Sequence, residues 1–512
     1  MDNLKTIKLK KLYLLSLAFV SGLTIMAVEI SASRLIAPYF GTSTYIWVNI
    51  IGVIMVALAL GYYFGGKLAD KVPDLKLLLR LILGACVFLL ITPFVTSYVA
   101  DLVTETLLMV NSASLVIFFG SLILVGILLF VPIFILGMVS PFIIKLLSVI
   151  DANIGQNAGL VFSISTLGSI LGTFLPVLVF IPLIGTRRTI IIFACLLIFI
   201  VLIGLYNKKW SLLSLVILLL VFVKLPAYKE AQGAVFEDES VYQYFQVADE
   251  NNMRYLKINE GLAVYSVINK DPNNVLTDSY FDYYNLLPYL DGNNIKQDIL
   301  VIGLAGGTIS TQLNHFFSQN YDLKIDGVEI DAKLIETAKK YFNLDNNSLS
   351  VHNLDGRIFL DYTDKKYDAI VVDAYANQLY IPFHLASQEF FQSVKGHLAE
   401  KGLVVMNVNA TSSDSALLKA ITNTMNKVFS HVYTLPLQNW NYLVMASDQP
   451  LGFADLSKIK IRPELKPLAK NAQASYQEVF YDPKSLVLTD DKAPIEYLTD
   501  WMILDYVMKN SP

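Results

Sequence analysis

The stretch Asp298-Ile-Leu-Val-Ile302-Gly303-Leu-Ala-Gly306-Gly307 decides how the chain reads. Its first half is a short apolar run, as expected of a strand buried on both faces. Its second half bends on Gly303, Gly306 and Gly307, which permit a tight turn and close approach of a ligand to the next helix start. A helical pattern follows over 308–317. The rhythm then repeats: a strand over 324–328 ending at Glu329, a helix over 332–342, a strand over 349–353 running into Asp355, and a strand over 367–372 ending at Asp373. A helix over 387–398 and a strand over 402–407 complete the series. Strands alternating with helices predict a doubly wound parallel sheet.

Ligands of such sheets bind beyond the carboxyl ends of the strands, where Gly303, Glu329, Asp355 and Asp373 all fall. An acid closing the second strand, 26 residues after Gly303, suits the hydroxyls of a ribose. Asp355 is placed to accept from an adenine amino group, and Asp373 faces the reacting centre. Gly-x-x-Gly-Gly alone is not the dinucleotide fingerprint. Taken singly, Asp331 or Asp355 reads equally well as a helix cap, but the acids at successive strand ends together point to a nucleoside-binding transferase.

Upstream of this region, alternating segments over 242–247, 253–258 and 263–268, punctuated at 259–261, predict a small antiparallel β-meander. Further back the composition changes. The chain of 512 residues is 54% hydrophobic and only 16% charged, which excludes an ordinary water-soluble enzyme, a disordered chain and a disulfide scaffold. Residues 1–228 carry 15 Lys and Arg against 7 Asp and Glu, whereas the remainder carries 24 against 36. The acidic half argues against nucleic acid as a partner. The two cysteines, Cys86 and Cys195, and five scattered histidines predict no metal site.

Seven apolar stretches are candidate spans: about 12–33, 45–66, 78–98, 113–136, 157–183, 188–206 and the short 211–226. Lys5, Lys8, Lys10 and Lys11 precede the first, and Lys67, Lys71, Lys76 and Arg80 follow the second, so the amino terminus is expected in the cytoplasm. Seven spans then put the acidic half outside the cell. Glu29, costly in hydrocarbon, has Arg34 five residues on as a candidate ion-pair partner. Gly61 and Gly65 have the spacing that lets helices approach closely, as do Gly155/Gly159 and Gly168/Gly172. The expected divisions are a transmembrane domain over 1–228, the meander lead-in over 229–297 and the nucleoside-binding domain over 298–512.

Residues from about 236 onward resemble the spermidine synthase family of aminopropyltransferases. The whole chain resembles the membrane-fused spermidine synthase-like proteins. The resemblance rests on 27–34, the run 61–70, Gly303–Gly307, Val328-Glu-Ile-Asp331, Asp373 with Ile381-Pro-Phe-His-Leu385, and Leu488-Thr-Asp-Asp-Lys-Ala-Pro-Ile-Glu496. The run 61–70 is in addition similar to the glycine-rich loop of major-facilitator transporters. The resemblance implies a multi-pass helical membrane domain followed by a methyltransferase-like, Rossmann-type sheet. It implies S-adenosylmethionine or its decarboxylated form as the bound substrate, with Glu329 on the ribose, Asp355 on adenine and Asp373 as general base. Tyr283 and His384 are implied in the substrate pocket, and Asp491 and Glu496 are candidates to add acidity to it. Two family carboxylates are missing, at Ala305 in the glycine loop and at Ala376 after Asp373. Both would have faced cationic amines, and each such charge-assisted hydrogen bond is worth about 1.5–3 kcal/mol. The losses put ordinary spermidine synthesis in question, and the one at Ala305 suits intact S-adenosylmethionine, hence methyl transfer, or lyase or cyclising chemistry on the cofactor itself.

The expected protein is therefore a membrane-anchored transferase with the lipid bilayer as partner and an amine or lipid-linked acceptor; a homodimer is compatible with it. Two alternatives stay open: a non-catalytic sensor or transporter-like protein with a nucleoside- or polyamine-binding domain, and an extracytoplasmic enzyme on another substrate. Donor chemistry argues for a cytoplasmic domain and the seven-span count against it.

Overall fold

The computed structural model describes residues 2–41, 44–107, 113–150, 153–205, 217, 219–223, 225, 233–259, 264–271, 274–290, 295–376 and 379–510. The chain divides into two compact units. The first comprises Met1–Glu230 with Glu239–Tyr244, and the second Ala231–Asp238 with Phe245–Pro512.

The first unit is helical: α1 (Asp2–Phe40), α2 (Thr44–Lys71), α3 (Leu75–Leu107), α4 (Ala113–Gly137), α5 (Val139–Ile150), α6 (Ile154–Leu175), α7 (Ile181–Ile184) and α8 (Thr186–Leu205). Among the described residues, six segments are long and apolar enough to cross a membrane, α4 with α5 and α6 with α7 each counting once. They coincide with the first six expected spans. The seventh, 211–226, falls mostly outside the described residues.

Small residues decide the helix contacts. A Cβ added to Gly61 of α2 would lie 2.3 Å from the Phe134 carbonyl oxygen and 3.0 Å from Gly137 Cα. On α6, a Cβ at Gly168 or Gly172 would strike the carbonyl oxygens of Phe19 or Leu23 at 2.0 and 2.2 Å. These backbones are in contact, which larger side chains would prevent. A Cβ added at Gly155 or Gly159 would meet nothing within 4 Å among the described residues, so there their matching spacing serves no close helix contact. Asp70 pairs with Lys145 at 2.7 Å, and Lys67 lies over the Tyr63 ring. Glu29 and Arg34 both lie on α1 and are partly buried.

The second unit begins with β1 (Ala234–Glu239), β2 (Tyr244–Glu250), β3 (Met253–Ile258) and β4 (Val264–Asn269), hydrogen-bonded in that order. The meander is thus one strand longer than its alternation indicates, because β1 is rich in acids. Part of the expected punctuation, 260–261, lies outside the described residues.

The main sheet contains β5 (Lys296–Ile302), β6 (Asp322–Val328), β7 (Leu349–His352), β8 (Tyr367–Val372), β9 (Leu398–Asn409), β10 (His431–Pro436), β11 (Asn441–Ser447) and β12 (Gln477–Val479). Its spatial order is β12-β10-β11-β9-β8-β5-β6-β7. Strands β7, β6, β5, β8 and β9 are parallel neighbours, as expected of a doubly wound sheet. Beyond β9 three antiparallel strands extend one edge, a departure from the all-parallel expectation. Both faces are covered. Ile299 and Val301 of β5 join a core with Leu313 and Phe316 on one side, while Leu300 and Ile302 join Phe390 and Phe391 on the other. That two-sided burial is why β5 is apolar from Ile299 to Ile302. It fixes the carboxyl ends of β5, β6, β7 and β8 side by side.

Candidate active site

Three strand ends meet at Gly303. Its φ is +89°, and an added Cβ would lie 2.4 Å from the Asp373 carbonyl oxygen, so only glycine lets β5 and β8 leave the sheet this close together. The Gly303 N–H donates to the Val328 carbonyl, and the Asp373 N–H donates to that of Ile302. The loop continues through Ala305, at φ +46°, to Gly307, at φ +81°, which precedes the helix Thr308–Phe317. Gly306 packs on β4, donating to Ser266 Oγ at 2.8 Å.

Glu329, at the end of β6, is 7% exposed. One carboxylate oxygen accepts the Ala305 N–H at 2.9 Å and the other the Asp331 N–H at 3.0 Å. Each oxygen keeps a lone pair for a further donor. Burial pushes the Glu329 carboxyl up to about 7, outweighing these backbone bonds. The arrangement is one that hydroxyl donors would complete. Asp331 caps the helix Ala332–Tyr341, the structural role that its position allows.

Asp373, at the end of β8, is partly buried. Asn407 Nδ2 donates to Oδ1 at 3.2 Å and the Tyr280 hydroxyl to Oδ2 at 3.1 Å. Burial nevertheless pushes its carboxyl up to about 6. Tyr280, Tyr284 and Tyr375 surround it, all held well above the usual phenol range by burial and by its charge. Tyr283, the expected pocket residue, has its hydroxyl engaged by Asn471 instead. Neither Tyr280 nor Asn407 was legible as a site residue, one lying in an aromatic run and the other at the end of an apolar strand.

Asp355 caps the helix Gly356–Tyr362 through the N–H groups of Arg357 and Ile358. Its Oδ2 is 3.0 Å from His384 Nε2, and this contact is the largest cause holding its carboxyl below the usual value. His384 therefore sits at the site by contact with Asp355. Arg357 pairs at 2.7 and 2.6 Å with both oxygens of Asp490, not with Asp491, which is exposed. Asp490 also accepts from Ser387, tying the segment before the last helix to the strand ends. Glu496 is partly buried on the helix Ile495–Asn510. Among the described residues no cluster of His, Cys, Asp and Glu could hold a metal ion.

The site thus joins Gly303, Ala305, Glu329 and Asp373 directly. Asp355 stands one strand further on, where Asn353 Nδ2 donates to the Glu329 carbonyl. Such an arrangement suits a nucleoside at β6–β7 and a proton acceptor at β8.

Residues 286–447 match the spermine/spermidine synthase domain. A probable polyamine aminopropyl transferase of Bifidobacterium longum is 31% identical over 283 residues, covering 51% of this chain and 61% of that protein. The chain therefore spans less than two thirds of that relative. A polyamine aminopropyltransferase of Vibrio vulnificus is 28% identical over 280 residues, covering 52% of this chain and 91% of its own length. The crystal structure of a probable spermidine synthase from Corynebacterium glutamicum aligns with 51% of this chain and 97% of its own, with 17% identity and a TM-score of 0.40. The match to the spermine/spermidine synthase domain thus lies within the C-terminal half of this chain, and the long apolar helices lie in the N-terminal half.

Proposed function

We propose that the chain is a membrane-anchored transferase that binds an S-adenosylmethionine-derived sulfonium and passes its aminopropyl or methyl group to an amine. The observation that carries this reading is the pairing of two strand-end carboxylates with different partners: Glu329, open to further donors, and Asp373, oriented by Asn407 and Tyr280. Glu329 would take the ribose hydroxyls, and Asp355, with His384, the base.

The amine lone pair attacks the sulfonium-bound carbon. The new C–N bond forms as the C–S bond breaks, its electron pair going to sulfur, and a thioether leaves. The proton released by the nitrogen passes to Asp373. Since the sulfonium is already a good electrophile, positioning and deprotonation are what the protein has to supply.

Ala305 bears on the choice of donor. Its side chain lies in an apolar cluster with Phe245, Val247 and Phe342, so position 305 itself offers no carboxylate to grip a donor ammonium or repel a donor carboxylate. This favours methyl transfer from intact S-adenosylmethionine as a second reading beside aminopropyl transfer. The test is turnover. The full chain in detergent, given each donor with a panel of amines, is expected to release methylthioadenosine or S-adenosylhomocysteine in equal amount to alkylated amine. Binding of the donor without thioether release from any amine would leave the sensor reading in its place.

The lysine-rich segments around α1, α2 and α3 support a cytoplasmic amino terminus. Sidedness of the second unit separates the readings, because the donors are made in the cytoplasm. Cys86 and Cys195 are both buried in the helices, so Ser413→Cys, in an exposed turn, is a clean reporter. The transferase reading expects it to resist an impermeant maleimide until cells are lysed. Labelling of intact cells would favour a sensor or an extracytoplasmic enzyme.

A further inference from the structure

Tyr280, whose hydroxyl donates to Asp373 Oδ2, is carried on weak local structure. It opens a 3-10 helix over Tyr280–Leu286. Runs of that helix beyond three or four residues are uncommon, because its hydrogen-bond geometry is poor. Ser279, at its start, makes no side-chain cap bond, and Asp278 before it sits at φ +53°. A buried polar knot two residues along fixes the segment instead.

Asp282 is 2% exposed, and Asn285 and Gln312 are buried with it. Its Oδ1 accepts the Thr277 N–H at 3.0 Å, the Thr277 hydroxyl at 2.9 Å and Gln312 Nε2 at 2.6 Å. Oδ2 shares the Thr277 N–H at 3.1 Å. Gln312 Oε1 in turn accepts from Asn285 Nδ2 at 2.8 Å. The knot thus ties three pieces together: the approach to the 3-10 helix, that helix, and the helix Thr308–Phe317 that follows the glycine loop.

Among the described residues these partners are neutral donors, and no cation pairs with Asp282. Burial pushes its carboxyl up, the Thr277 and Gln312 bonds opposing. An unpaired buried charge costs more than an amide of the same shape, so packing does not explain a carboxylate here. The donor pattern does. Both oxygens face donors, whereas an asparagine would turn its Nδ2 toward one of them and set N–H against N–H.

We propose that Asp282 is a positioning residue for the reaction: by fixing the 3-10 helix it sets the Tyr280 hydroxyl on Asp373. This rests on the transferase reading above. Its effect on Asp373 passes through Tyr280, whose bond favours the ionised base. Without that bond Asp373 stays protonated to higher pH.

The experiment is the pH dependence of thioether release, from pH 5 to 8, by the full chain in detergent. The wild-type rate should fall as pH drops through about 6, where burial holds the Asp373 carboxyl. Asp282→Asn should move that limb up to about 7, because the bond lost from Tyr280 is one to a charged group. Tyr280→Phe should do the same, and adding Asp282→Asn to it should move the limb no further. Thr277→Val, which removes one donor and keeps the shape, should move it the same way by less, and decides the matter where Asp282→Asn does not fold. Methylthioadenosine should bind all these variants as it binds the wild type. A limb that keeps its wild-type position in Asp282→Asn or in Thr277→Val overturns the positioning role and leaves the transferase reading standing. So does a further shift when Asp282→Asn is added to Tyr280→Phe, or a parallel loss of methylthioadenosine binding. A wild-type chain that releases no thioether with any amine overturns both.

Discussion

Asp373→Asn should lower kcat by roughly 10²–10⁴-fold while leaving methylthioadenosine affinity within about twofold, the range expected for loss of a positioned general base. The asparagine keeps the shape of the side chain and can still accept from Asn407 or Tyr280, so the fold has little reason to change. What is lost is the acceptor for the amine proton. Because burial holds the Asp373 carboxyl at about 6, the wild-type rate should fall as pH drops through about 6, when the base becomes protonated. That limb should be absent from the residual rate of the variant. Initial rates of thioether release from pH 5 to 8 check both points. A variant that retains the wild-type rate and limb would assign the proton transfer elsewhere.

Glu329→Ala should weaken methylthioadenosine binding by about 10²-fold or more, since two hydrogen bonds to a charged group, each worth about 1.5–3 kcal/mol, are removed together. The alanine also leaves the Ala305 and Asp331 N–H groups without their acceptors, so Glu329→Gln is the companion that keeps one of them. The same residue shapes stability. Its folded pKa, about 7, lies above the unfolded value near 4.5, so the fold disfavours the ionised form. Its contribution is therefore lost as pH rises from about 4.5 through 7, by roughly 3 kcal/mol at most. Thermal melts of the wild type should decline over that window more steeply than those of Glu329→Gln, and binding measurements should rank wild type above Gln above Ala. Equal affinity across the three would remove Glu329 from the nucleoside site.

Much of this was written in local sequence. Residues 299–302 of β5 had to be apolar because both sheet faces are covered, and Gly303 had to be glycine because the Asp373 backbone lies against it. Helix periodicity and strand ends between 298 and 407 followed from the same constraints. The antiparallel edge was not legible as such: β10 and β11 are short apolar runs whose direction depends on the turn at Asn439 and Trp440, both at positive φ. Side-chain partnerships across long separations were hidden for a different reason. Tyr280 reaches Asp373 across 93 residues, and Tyr380 reaches Asp500 across 120. No periodicity marks which tyrosine of a run faces a carboxylate, and hence Tyr283 reads as well as Tyr280. Likewise Asp490 and Asp491 are equivalent on paper, and only the fold gives Arg357 to the first. In the first unit, Gly155/Gly159 and Gly168/Gly172 share a spacing, but among the described residues only the second pair lies against another helix.

In the proposed function the strand-end acids hold an adenine nucleoside, with Glu329 on its ribose. Calorimetric titration of methylthioadenosine into the full chain, at several pH values and in buffers of different ionisation enthalpy, tests it directly. Ribose hydroxyls donating to Glu329 favour the carboxylate form and lower its pKa from about 7. Binding should be tighter at pH 8 than at pH 6, with net proton release near pH 7. No binding at any pH, or proton uptake on binding, would contradict it.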